Sequence, residues 1–202
     1  MKGFFEMIGK AEVLKDYDVK NVLNMIRSMD NPQRNRIIFL MSYLVGMRVC
    51  NIQKLQICDV FDDKGKPFDK IVLSKDKNKF HKIAEYYLND EMKKELINYY
   101  KFLKNDKMIL CSNDYLIQSQ KTGKFLRKES IVRIFRQIYD KCGLAKCRSH
   151  SGRRTFITDL CNKGVAIQVV SKLVNHKSIS TTMGYYQQNP TTLLNAVNVL
   201  SV

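Results

Sequence analysis

Apolar residues recur at helical spacing along most of the chain, beginning with two helices near the N-terminus. Four apolar residues between positions 19 and 26 share one helical face, which predicts a helix over 18–29 with Asp18 as its N-cap. Asn31-Pro32 predicts a second helix start, because Asn caps helices well and Pro fits the first helical position. Residues 37–44 are apolar nearly all round, so this helix is expected to be buried and to end near Gly46.

The pattern changes to short strand-like runs between residues 57 and 87. The runs 57–61, 71–73 and 83–87 predict a small antiparallel sheet, and the lysine-rich residues 75–82 predict a basic hairpin loop. After Asn89 helical spacing returns. It predicts helices over 91–103, 128–142, 150–162, 166–174, 179–186 and 191–200. The predicted fold class is therefore mostly α with a small antiparallel β-sheet, an α+β fold.

Composition favours one compact globular domain without a cofactor. The chain has 202 residues, of which 45% are hydrophobic and only three are proline, and no linker interrupts it. We expect a short N-terminal extension over 1–17 and a domain over 18–202. No apolar run has the length of a membrane span and no signal-peptide pattern is present, so we expect a cytoplasmic protein with no membrane partner. The six cysteines lack zinc-ligand spacing, and no metal or other cofactor is expected.

Positive charge indicates the class of partner. The chain carries 35 Lys and Arg against 19 Asp and Glu, a net charge of +16, which favours nucleic acid. The stretch 121–154 is especially basic, and phosphate contacts are expected there and on the hairpin loop. The candidate DNA-binding residues are Lys77, Lys79, Lys121, Lys124, Arg127, Lys128, Arg148 and Arg154.

A few residues in this basic chain could perform phosphate chemistry. His150 and Arg153 are three apart, so on a helix they would point the same way and could bind one small anion. Downstream lie His176 and Tyr185, and a tyrosine hydroxyl becomes a usable nucleophile where cations favour its phenolate. The sequence has no carboxylate cluster suited to two metals and no P-loop motif, so the cations would come from side chains.

Three segments in order resemble the motifs of the tyrosine recombinases, also called the phage integrase family. Residues 46–55, GMRVCNIQKL, resemble the box G-L-R-x-x-E-x-x-x-L, and residues 150–153 match H-x-x-R. Residues 173–185, LVNHKSISTTMGY, resemble L-L-G-H-x-x-I-x-T-T-x-x-Y. Order and spacing agree over roughly residues 30–190. The resemblance implies the tyrosine recombinase catalytic-domain fold and a site-specific recombinase or integrase that cleaves and rejoins DNA.

The resemblance also implies a role for each matching residue. Arg48 and Arg153 would bind the scissile phosphate, His150 would assist as an acid, base or donor, and His176 would hydrogen-bond a phosphate oxygen. Tyr185 would attack phosphorus to form a 3′-phosphotyrosyl intermediate, without metal or ATP.

Two of these assignments leave alternatives open. Tyr186 is the alternative nucleophile, because it directly follows Tyr185. The family's catalytic lysine lies on the hairpin turn, where we predict Lys75, with Lys77 as the alternative.

The predicted partners and domain organisation follow from the same resemblance. The resemblance implies double-stranded DNA carrying a specific site, a homo-tetramer on two synapsed duplexes, and nucleoid association when bound. Host or accessory DNA-bending proteins are further candidate partners, and 191–202 is a candidate docking helix for its own core or a neighbouring subunit. The family's separate N-terminal helical domain is expected to be absent. A non-catalytic DNA-binding protein and a type IB-like topoisomerase remain open as alternatives.

Four positions differ from the family pattern. Asn51 replaces an acidic residue, so a carboxylate that supports Arg48 is missing or supplied elsewhere. Gly152 replaces the commoner Leu, and Arg154 the commoner His. Asn175 replaces a Gly, which is a mild change because Asn also tolerates positive φ.

Overall fold

The computed structural model describes residues 11–77, 82–105, 111–120, 122–185 and 197–198, and the structural statements below concern these residues. The helices are α1 (Asp16–Arg27), α2 (Pro32–Tyr43), α3 (Val49–Ile52), α4 (Ile57–Val60), α5 (Asp90–Asn105), α6 (Lys128–Lys141), α7 (Ser151–Asn162), α8 (Ile167–Leu173) and α9 (Ile179–Met183). Strands β1 (Lys70–Leu73) and β2 (Ala84–Tyr87) pair antiparallel, with Leu73 opposite Ala84. The prediction of a mostly helical chain with a small antiparallel sheet is confirmed.

The first helix begins two residues before its predicted cap. α1 starts at Asp16, and Oδ2 of Asp18 accepts the backbone N–H of Lys15 at 2.8 Å. Asp18 is therefore not the N-cap. It acts from the third helical position, where a carboxylate satisfies a free N–H and offsets the helix dipole.

The described end of the predicted N-terminal extension contacts the domain. Leu14 is 3% exposed, and its backbone N–H donates to Oγ1 of Thr155 on α7 at 2.9 Å. The carbonyl of Ala11 accepts a hydrogen bond from Arg154 at 2.7 Å. Residues 11–14 therefore lie along α7.

Residues 57–60 form a helical turn, so the strand predicted over 57–61 was wrong. α4 spans Ile57–Val60, and Oδ2 of Asp59 accepts the backbone N–H of Gln56 at 2.8 Å, just before the turn. Phe61 then forms an isolated antiparallel bridge with Pro67. A five-residue apolar pattern does not distinguish strand from helix, and here the local cap decides.

Helix α2 runs through the core, as predicted. Residues 37–41 are each no more than 1% exposed, and α1, α5 and α7 pack around them. After the helix, Gly46 adopts a φ of 66°, and a Cβ there would lie 2.6 Å from Cδ1 of Phe156. Glycine is required at this turn, because it tolerates positive φ and lets α7 approach. The turn leads the chain into Arg48 at the start of α3.

Helices α7 and α8 share a second, smaller apolar cluster. Its buried members are Ile157, Cys161, Val170 and Val174, with Tyr185 packed against it. This cluster fixes the segment after α8, where Asn175 adopts a φ of 52° and His176 follows. The residues that the sequence selects at 153, 176 and 185 are therefore anchored to one packed unit.

The next findings concern membrane-spanning helices, metal sites and cysteines. None of the helices in the described ranges is long and apolar enough to cross a bilayer. Within the same ranges no group of three or more His, Cys, Asp or Glu could hold a metal ion. All six cysteines are free thiols. The predicted helix 191–200 lies outside the described residues, except for its positions 197 and 198.

Candidate active site

Four of the predicted residues come together at the C-terminal end of α8. The carbonyl oxygen of Val174 accepts hydrogen bonds from Nη2 of Arg153 at 2.7 Å and from Nη1 of Arg48 at 3.4 Å. His176 follows two residues later, and its ring stacks on that of Tyr185 with centroids 6.1 Å apart. We call Arg48, Arg153, His176 and Tyr185 the core cluster.

Arg153 is the buried member of this core cluster, with 4% exposure. Its guanidinium donates to the carbonyls of Gly46 and Val174, and its backbone N–H donates to Oγ of Ser42 at 3.1 Å. Burial, and next the charge of Arg48, lower the pKa of Arg153 to about 9. Arg153 still carries its charge at neutral pH. An anion that entered the cluster would offset both the burial and the repulsion.

His176 is held in its neutral form. Its Nδ1 lies 2.8 Å from Oγ1 of Thr182, and burial together with the charges of Arg153 and Arg48 lowers its pKa to about 4. A neutral imidazole has one nitrogen that donates and one that accepts. Thr182, which is buried on α9, therefore helps to set which nitrogen carries the proton.

His150 and Arg153 differ in burial although both border the start of α7. His150 occupies the N-cap position and is exposed, whereas Arg153 lies inside the helix and is buried. The helix begins at Ser151, so His150 lies just before it and not inside it with Arg153, as the predicted common face required. His150 is on the surface from which a large anionic partner could approach.

The two candidate lysines of the hairpin occupy different surroundings. Lys75 is exposed in the turn that follows β1. Nζ of Lys77 lies 2.7 Å from Oδ2 and 2.8 Å from Oδ1 of Asp59, and 2.5 Å from Oε1 of Gln56. The ion pair holds Lys77 against α4.

The remaining candidate DNA-binding residues divide into three groups. Four are exposed: Lys124, Arg127, Lys128 and Arg148. Arg154 is half-buried, and its guanidinium carbon lies 5.7 Å from the ring centroid of Tyr185. Lys79 and Lys121 lie outside the described residues, as does the alternative nucleophile Tyr186.

Strand β2 supports the site in a way that sequence reasoning missed. Nδ2 of Asn51, which is 1% exposed, donates to the hydroxyl of Tyr86 at 2.7 Å. Nδ2 of Asn175 donates to the carbonyl of Glu85 at 2.8 Å. Burial raises the pKa of Tyr86 and keeps it neutral. The segments that carry Arg48 and His176 are thus both tied to β2 by asparagine side chains.

The sequence pointed to these two asparagines but not to the residues that they bond. Asn51 and Asn175 stood out as departures from the family pattern, but their partners lie 35 and 90 residues away along the chain. No periodicity links positions at such separations, so the partners emerge only from the packing.

Comparisons with known proteins agree on one family. The sequence profile of the phage integrase family matches residues 12–192. A tyrosine recombinase of Pseudothermotoga lettingae is 30% identical over 177 residues, which cover 86% of this chain and 56% of that protein.

Solved structures share the fold. The crystal structure of XerA recombinase has a TM-score of 0.71 and 25% identity, covering 92% of this chain and 64% of that one. A XerH recombinase, solved in a post-cleavage complex with a palindromic difH substrate, has a TM-score of 0.72 and 22% identity, covering 93% of this chain and 53% of that one. The chain therefore spans between about half and two thirds of the length of these proteins.

Proposed function

The chain belongs to the phage integrase family, and we propose that it is a site-specific DNA recombinase whose nucleophile is Tyr185. The observation that carries this proposal is the core cluster. A tyrosine ring stacks on a neutral histidine beside two arginines that share one backbone acceptor. We assign residues 18–202 to the catalytic domain.

Cleavage is a transesterification at phosphorus. Arg48 and Arg153 bind the nonbridging oxygens of the scissile phosphate, where a planar guanidinium suits a bidentate contact. The Tyr185 oxygen attacks phosphorus while its proton passes to His150. The bond from phosphorus to the 5′ oxygen breaks, and that oxygen takes a proton from Lys75. The products are a 3′-phosphotyrosyl link and a free 5′-hydroxyl.

His176 stabilises the charge that develops on the phosphate. If the Thr182 hydroxyl donates to Nδ1, the proton of the neutral ring is on Nε2, which then donates to a phosphate oxygen. Burial and the two arginines lower the pKa of His176, so the neutral ring has one N–H to donate. Rejoining reverses the cleavage step, with the 5′-hydroxyl of a partner strand attacking the phosphotyrosine. The link conserves the energy of the broken bond, so no ATP is needed.

The partner is double-stranded DNA with a specific recombination site. The net charge of +16 and the exposed cations near α6 and α7 support DNA binding. A XerH recombinase was solved on its difH substrate, and a Tn1549 integrase in complex with transposon DNA. We propose that the active assembly is a homo-tetramer on two synapsed duplexes, with DNA-bending accessory proteins as further partners.

A capture experiment tests the nucleophile. The protein is incubated with a library of nicked duplexes of random core sequence, in which the cleaved strand loses its short end and cannot be rejoined. Denaturant-resistant protein–DNA adducts are isolated and sequenced. We expect adducts with the wild type and with Tyr186→Phe, and none with Tyr185→Phe. DNA retention without any adduct would instead support a non-catalytic DNA-binding protein.

Strand exchange separates a recombinase from a topoisomerase. Two duplexes that carry the selected site, one of them labelled, are mixed with the wild type. We expect labelled recombinant joints that require the site on both duplexes. Relaxation of supercoiled plasmid without any joint would contradict the recombinase assignment.

A further inference from the structure

Tyr185 has two aromatic or cationic neighbours. The His176 ring stacks on it with an angle of 22° between the ring planes. The guanidinium carbon of Arg154 lies 5.7 Å from the Tyr185 ring centroid, within the range of a cation–π interaction. Arg154 stands where the family more often has His.

Arg154 is itself anchored by the N-terminal segment. Its Nη1 donates to the carbonyl of Ala11 at 2.7 Å. Its Nε is buried and has no hydrogen-bond partner among the described residues, and Arg154 forms no ion pair in those ranges. The Ala11 carbonyl and the Tyr185 ring are therefore the contacts that offset the burial of this charge.

The place of Arg154 on α7 links it to the phosphate-binding residue. Arg153 and Arg154 are neighbours on one helix, so their side chains leave it about 100° apart. Arg153 donates to the Val174 carbonyl, and Arg154 contacts the Tyr185 ring. One rigid helix thus sets the relation between the arginine that would bind phosphate and the tyrosine that would attack it.

We infer that Arg154 is a positioning residue for the nucleophile. It holds the Tyr185 ring by a cation–π contact, and residues 11–14 fix Arg154 in turn through the Ala11 carbonyl. Burial of Leu14 and its bond to Thr155 keep this segment on α7. The inference rests on the proposed function, because it assigns a support to the residue that attacks phosphorus.

The kinetic test compares Arg154→Gln and Arg154→Lys with a charge-matched control. The control is Arg27→Gln, which removes the same charge from an exposed position in the last turn of α1. Cleavage is measured in a single turnover at saturating DNA. We expect Arg154→Gln to cleave roughly 3- to 30-fold more slowly, the range that follows from the strength of a cation–π contact. Lys keeps the charge without the planar group, so Arg154→Lys should lose less.

The same measurements separate positioning from the DNA contact that the sequence predicted for Arg154. A DNA contact lowers affinity and leaves the rate at saturating DNA unchanged, which would overturn the inference. A general acid or base role would alter the pH profile, whereas a positioning arginine stays charged and leaves its shape unchanged. A slower rate with an unchanged profile supports positioning.

A spectroscopic test needs no activity. 3-Fluorotyrosine is incorporated at position 185 alone, and its ¹⁹F signal is recorded in DNA-free protein with the fold checked by urea unfolding. We expect Arg154→Gln to shift or broaden the signal, Arg154→Lys to change it less, and Arg27→Gln to leave it unchanged. An unchanged signal in Arg154→Gln overturns the inference. Absence of any adduct in the wild type overturns the proposed function and the nucleophile role with it, and the ¹⁹F signal then tests only whether Arg154 holds the Tyr185 ring.

Discussion

At the scale of single residues, Arg153 is a buried cation whose hydrogen-bond acceptors are neutral carbonyls. It donates to Gly46 and Val174, and burial and Arg48 together lower its pKa. The folded chain therefore retains an electrostatic cost that a bound phosphate would offset. Such a cost is typical of a site that is organised before its ligand arrives, and it reduces stability in exchange for function.

The depressed pKa of His176 predicts how stability depends on pH. The unfolded chain takes up this proton near 6.5, whereas the folded ring takes it up only near 4. As the pH falls between these values, the unfolded state gains the proton first, so the free energy of unfolding decreases. The stabilising contribution of the neutral His176 ring is fully present above about pH 6.5 and is lost by about pH 4. Urea unfolding at a series of pH values measures it.

Two variants isolate this histidine from the other titrating groups. His176→Gln removes the titration and should flatten the dependence between about 6.5 and 4. Lys101→Gln changes an exposed side chain of α5, leaves His176 in place and should keep the wild-type dependence. If the free energy of unfolding changes equally with pH in the wild type and in His176→Gln, the ring is not held neutral by its surroundings.

Sequence patterns identify these residues but not their supports. Motif spacing selects Arg48, Arg153, His176 and Tyr185, and the structure brings these four together. Burial, which lowers the pKa of two of them, depends on packing between segments far apart in sequence. For the same reason, the sequence does not predict the hydrogen bond from Asn51 to the hydroxyl of Tyr86 on β2.

At the scale of elements, α2 and α7 pack unusually closely at Gly152. A Cβ on Gly152 would lie 2.9 Å from Oγ of Ser42 and 3.3 Å from the backbone N of Tyr43. Leu, the commoner residue of the family, would overfill this contact and break the bond from Arg153 to Ser42. We expect Gly152→Leu to destabilise the protein by about 1–3 kcal/mol. The midpoint and slope of urea unfolding give this value.

A double-mutant cycle checks that the clash is local. Ser42→Gly removes the two nearest side-chain atoms, so Gly152→Leu should cost less in that background than in the wild type. If the losses of stability from the two substitutions simply add, the Leu side chain does not clash with Ser42. The sequence marked Gly152 as atypical, but only the packing of the two helices explains why glycine fits.

The hairpin between β1 and β2 carries the next prediction, the identity of the general acid. Lys77 is held by Asp59 and Gln56, whereas Lys75 is exposed in the turn. We expect Lys75→Ala to slow cleavage by about 10²–10⁴-fold, as for loss of a general acid. A substrate with sulfur at the 5′ bridging position should restore cleavage, because a thiolate leaves without a proton. Lys77→Ala should be slowed much less.

Asp59 provides the matched control for the hairpin. Asp59→Asn removes the ion pair that holds Lys77 but leaves Lys75 in place. It should therefore cleave both substrates, and Lys75→Ala should remain defective in the Asp59→Asn background. If the sulfur substrate restores Lys77→Ala instead of Lys75→Ala, Lys77 is the acid.

Element prediction succeeds where the pattern is long. Helices such as α5 and α6 span several turns and agree with the periodicity. The turn at α4 was misread because its few residues carry no periodic signal and its start is set by Asp59. Short elements depend on local hydrogen bonds that composition alone does not reveal.

At the scale of the whole molecule, the site gathers residues from positions 48 to 185. The order of motifs was readable from the chain, but their convergence follows from the packing of α7 and α8 on α2 and β2. The net charge of +16 is likewise a property of the whole chain. It creates a field that favours DNA on the molecule before any specific contact forms.

That charge predicts a steep dependence of DNA binding on salt. Each phosphate contact contributes about 0.9 to the slope of the logarithm of affinity against the logarithm of salt concentration. Lys124→Gln and Arg148→Gln should each reduce the slope by about 0.9, and the double variant by about 1.8. Lys101→Gln is the control, because it removes an exposed charge from α5, a helix that contributes no residue to the site. Fluorescence anisotropy over about 50–300 mM salt measures the slopes. A slope reduced equally by all three single variants would point to the general field, whereas a loss confined to Lys124 and Arg148 locates the phosphate path beside α6 and α7.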